Sequence, residues 1–151
     1  MIVDSHIEAP AFQNDASTLL EAHGQIRRCL IKLEVEMART TPNMTSLAAA
    51  RVQLSRAQRH RAEALGAVLA RLRLAGGPAL RQAERMQTEV RNFQLAASSH
   101  IARWNTVTIP SDWQGYLSAS VLLKDATQRQ IASERQLLRG IDWIKLSTSI
   151  M

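Results

Sequence analysis

The chain has 151 residues and a formal net charge of +6, with 46% hydrophobic residues but only 4% aromatic ones. Such a length is one ordinary domain, and a core so poor in aromatics must be built from Leu, Ile, Val, Ala and Met, which suits packed helices better than sheets. One cysteine, Cys29, excludes an intramolecular disulfide, the opening MIVDSHIEAP has neither region of a signal peptide, and no run approaches the roughly 20 apolar residues that span a bilayer, so a cytoplasmic protein with no membrane contact is expected.

Residues 1–14 show no periodicity and include Pro10, so they read as an N-terminal arm. A first helix should start between Asp15 and Thr18, where Thr18 and Glu21 fit a capping box, and run to about Arg39. Its stripe is Leu19, His23, Ile26, Leu30, Leu33 and Met37, in steps of four and three that place all six on one face. Thr40-Thr41-Pro42-Asn43 then breaks the chain.

Asn43 or Thr45 can cap a second helix that ends at Gly76-Gly77. Its inner face follows Leu47, Ala50, Leu54, Ala57, His60 or Arg61, Ala64, Val68 and Leu72, and its many alanines should let neighbouring helices approach closely. Pro78 suits the first turn of a third helix, striped by Ala83, Met86, Val90, Phe93, Ala97 and Ile101 and ending near Trp104. After a short loop, Ser111 and Gln114 offer another capping box, with Asp112 close by. The fourth helix carries Leu123, Thr127, Gln130, Glu134, Leu137, Ile141 and Ile144 on one face, with Gly140 as a stop or kink.

Four long amphipathic segments with short connections predict an all-α fold, an up-down-up-down antiparallel four-helix bundle over residues 15–146 with a tail at 147–151. The arginines are spread over every predicted helix rather than clustered on one, so a solvated surface is the reading and nucleic acid is not the expected partner. The apolar residues Ile141, Trp143, Ile144, Leu146 and Ile150 cover more than one face. They either cap the bundle or meet a second subunit or other protein partner, with capping preferred.

Bundle cores hold ligand and metal sites built from facing helices. Three polar residues on or beside the seams, His23, His60 and Glu134, could converge at similar depth and hold one iron, zinc or manganese ion. The competing reading needs no metal: an imidazole paired with Glu134 satisfies both groups. His6, in the arm, and His100, near the end of the third helix, are weaker candidates.

The segment LLEAHGQIRRCLIKLE around His23 resembles the first-helix signature of hemerythrin-like (HHE cation-binding) domains. RAQRHRAEALGAVLARL stands where that family's second helix carries His-x-x-x-Glu, and residues 102–138 look like the loop and last helix of a bacterial branch. The resemblance implies a site with most ligands gone. His60 and Glu134 match ligand positions, but Ala64 replaces the Glu after His60 and Gln130 replaces the His before Glu134. A diiron centre would lack its bridging carboxylates, so oxygen binding should be lost.

No Ser-His-Asp or Cys-His arrangement, phosphate loop or CxxC occurs, so no catalysis is expected. The expected function is a scaffold or regulatory interaction module with no cofactor. The alternative is a residual single-metal or small-ligand binding protein.

Overall fold

The computed structural model describes residues 2–141, and for residues 2–9 the backbone alone. Among these residues there is no strand. The elements are α1 (Ile2–Met37), α2 (Met44–Ala75), α3 (Gly77–Arg103), a single turn α4 (Thr108–Ser111) and α5 (Trp113–Gly140). Helix α1 packs along α2 and also meets α5, while α3 rests on both α2 and α5.

The arm expected at 1–14 is instead the start of α1, which is 36 residues long. The physical reason is that the stripe begins earlier than Leu19. Phe12 and Ala16 precede it by steps of four and three and are buried, whereas Pro10 lies on the exposed side. Thr18 is therefore no cap, and its hydroxyl donates to the carbonyl of Asn14 at 3.0 Å. Of the C-terminal apolar group, Ile141 is buried in the core, and Trp143, Ile144, Leu146 and Ile150 lie outside the described residues, as does the tail at 147–151.

Each later boundary has a local cause. Asn43 caps α2, its Oδ1 accepting from the Ser46 N–H at 3.1 Å. Gly76 and Gly77 join α2 to α3 with φ of 70° and 56°, a conformation that costs glycine little and L side chains more. At α5 the cap is Asp112, which accepts from Gly115 N–H at 3.0 Å. Ser111 turns instead to the Thr108 carbonyl at 2.8 Å.

Three apolar clusters stack along the helices. One holds Phe12, Leu19, Leu65, Leu72, Val90 and Leu138. The middle one is Ile26, Leu30, Ala57 and Ile131, with Cys29 packed against it as a small half-buried group. The third gathers Leu33, Leu47, Trp104, Ile109, Trp113 and Tyr116. Between the first and second clusters in the order of α1, α2 and α5 come His23, Arg61 and Glu134. Apolar burial carries the fold on either side of them, at about 1.5–3 kcal/mol for each large side chain.

Candidate functional site

His23, Arg61 and Glu134 are almost wholly removed from solvent. The imidazole Nε2 of His23 lies 2.8 Å from Glu134 Oε1, and the Arg61 guanidinium donates to Glu134 Oε2. Gln130, one turn before Glu134 on α5, donates its Nε2 to that same oxygen at 2.7 Å and lies 3.6 Å from the Met86 sulfur on α3. Arg61 also donates from Nε to Gln58 at 3.0 Å, and its guanidinium carbon sits 5.0 Å from the centre of the Phe93 ring. Helices α1, α2 and α5 therefore meet at one carboxylate, and α3 borders the network through Met86 and Phe93.

The electrostatics follow from burial. A carboxylate removed from water needs a cation and further hydrogen bonds, and Glu134 has both. Since the Glu134 oxygen accepts, His23 donates through Nε2–H. Its Nδ1 has no partner among the described residues, which is tolerable for a lone pair and costly for a second buried N–H.

Two of the three expected ligands, His23 and Glu134, are thus brought together. His60 is not, because it is exposed on α2 and faces a surface groove with Asp15, Glu21 and Glu63. Arg61, the other residue compatible with the α2 stripe, takes the inward place. Ala64 is buried in the apolar cluster beside it, and Gln130 is a hydrogen-bond donor to the carboxylate. The donor set does not fit a metal ion. Among the described residues no three His, Cys, Asp or Glu side chains gather for one, and a fixed guanidinium already occupies the face of Glu134 that a cation would need.

On the other side of Arg61 the helices part. A cavity of about 1000 Å³ lies among α1, α2, α3 and α5. Its wall is mainly apolar, from Leu30, Leu33, Leu54, Phe93, Ile101 and Leu123. Past Phe93 the α3 stripe loses its cover, so Ala97 is half-buried and Ile101 is 54% exposed. The α2 alanines expected to draw the helices together, Ala50, Ala57 and Ala64, are buried and lie away from this opening.

One corner of the cavity is polar. Arg51 donates to the Trp104 carbonyl at 2.7 Å and lies over the Tyr116 ring at 5.7 Å. Tyr116 is completely buried, stacked on Trp113 with centroids 5.6 Å apart, and His100 lies 5.8 Å away. The Tyr116 and Ser120 hydroxyls, one turn apart on α5, are shut off from solvent, and Ser120 lies close enough to offset part of the effect of burial on Tyr116. Burial, and then the charge of Arg51, hold the His100 pKa below its ordinary value of 6.5. Burial likewise raises that of Tyr116, which keeps its proton as a potential donor.

The sequence carried no indication of this corner beyond its aromatic and Arg residues, because it depends on how far α3 stands from α2. Compared with known proteins, the chain matches no family model, no curated protein and no solved structure.

Proposed function

We propose that the chain is a hemerythrin-like, up-down-up-down four-helix bundle whose metal cradle has been taken over by an internal ion pair, and that it serves as a non-enzymatic binding module. The observation that carries this reading is the Arg61 guanidinium on Glu134. A fixed positive charge sits beside the matched ligand residues His23 and Glu134, in the place where the resemblance would put a cation. The bundle topology is supported by the contacts of α1 with α2 and α5 and of α3 with the same two helices.

The test is metal analysis of untagged protein grown with iron, zinc and manganese, alongside thermal unfolding in chelator. The expected result is substoichiometric metal and an unchanged melting temperature. Stoichiometric metal that disappears in both His23→Ala and Glu134→Ala overturns the reading.

A second reading, binding of a small molecule between the helices, is favoured by the cavity beside Phe93 and Tyr116. Pockets of several hundred Å³, mostly apolar with a few converging polar groups, are the usual form of such sites.

A further inference from the structure

We infer that the cavity among α1, α2, α3 and α5 binds an amphipathic organic acid, its apolar body along the helices and its carboxylate at Arg51. This inference rests on the small-molecule reading above and adds the ligand class to it.

Three observations converge. The wall is apolar along most of its length, so the body of the ligand must be apolar too. At the polar corner, the Arg51 guanidinium and the His100 ring gather around Tyr116 at one end of the cavity. A carboxylate placed there would accept from the guanidinium of Arg51. The third observation is charge. The cations at the wall are Arg51, Arg56, Arg59, Arg61 and Lys124, against a single carboxylate, Glu34. Glu34 is held by Lys124 and Arg61 by Glu134, whereas Arg51, Arg56 and Arg59 pair with no carboxylate among the described residues.

The same corner disfavours the alternatives. A cationic head would face Arg51 and the other unpaired arginines with only a neutralised Glu34 to receive it. A purely apolar ligand would leave Arg51 without a counter-charge, whereas a carboxylate accepts from its guanidinium. His100 lies beside the same corner, and an anion bound there favours its protonated form, so binding of an acid should strengthen as pH falls below about 6.5.

The experiment titrates the full chain with decanoate, decanol and decylammonium, each below its micelle concentration, by calorimetry and amide chemical shifts. Decanoate is expected to bind best, with shifts concentrated at residues 93–104 and 116–127. Arg51→Gln should weaken decanoate by roughly tenfold or more and leave decanol almost unchanged. Ala97→Trp, which fills the cavity, should abolish binding of all three, and Ala62→Phe provides the same block from α2 should the first variant lose helicity. Preference for the amine or the alcohol, or indifference to Arg51→Gln, overturns the acid assignment while leaving small-molecule binding standing. Failure of all three probes, or binding that survives both filled variants, removes the small-molecule reading itself.

Discussion

Arg61 and Glu134 form an ion pair between α2 and α5 at the level where the apolar core is interrupted, with side chains 2% and 0% exposed. Removing one partner leaves the other as an uncompensated buried charge, which is far worse than removing both. Glu134→Leu and Arg61→Met are each expected to destabilise by about 3–5 kcal/mol, and the double variant Arg61→Met/Glu134→Leu by much less. Urea denaturation of the two single variants and the double variant gives the coupling directly. Additive losses would show that the pair does not interact.

Phe12 is 1% exposed and packs in the cluster with Leu19, Leu65 and Leu138. Phe12→Ala should cost about 3–5 kcal/mol, the range for truncating a buried aromatic. A loss below about 1 kcal/mol would return residues 1–14 to the role of a dispensable arm.

His100 gives stability a pH dependence. Its folded pKa lies below the unfolded 6.5, so at mildly acid pH the unfolded chain binds more protons and folding weakens. The contribution is complete above 6.5 and is lost as pH falls through the lowered value. Chemical denaturation from pH 8 to 5 should show this decline, and His100→Gln should flatten it. Glu36 adds a more acidic step. The Ser46 hydroxyl holds its carboxyl below 4.5, so that contribution is present above 4.5 and disappears below it.

Gly115 is required for space rather than for backbone freedom. A Cβ there would overlap the Asp112 carboxylate that caps α5. Gly115→Ala and Asp112→Ala should therefore each cost about 1 kcal/mol, and the pair together scarcely more than either alone. Full additivity in thermal unfolding would contradict this shared cause.

How far the sequence was legible differs residue by residue. The seams of α1 and α5 were readable because His23 and Glu134 fall in register with large apolar neighbours, and a carboxylate in such a stripe demands a partner. The identity of that partner was not. Positions 60 and 61 both satisfy the three-and-four spacing of α2, and the choice turns on Leu65 and Leu69, which pull the buried face toward Arg61. The cavity could not be read at all, since the α3 stripe runs on unbroken through Ala97 and Ile101 and nothing in it marks where its cover ends. The start of α1 was missed because Pro10 outweighed Phe12, although the chain already carried the stripe through that aromatic ring.

A cation built into the chain cannot be starved away. Where an ion-dependent core would weaken whenever the trace element ran short, the core around Glu134 acquires its positive charge during synthesis, one per molecule, from Arg61. On the proposed reading, its folding is indifferent to mineral supply. The cost is reversibility, because no change in the surroundings can empty that position and use it as a signal.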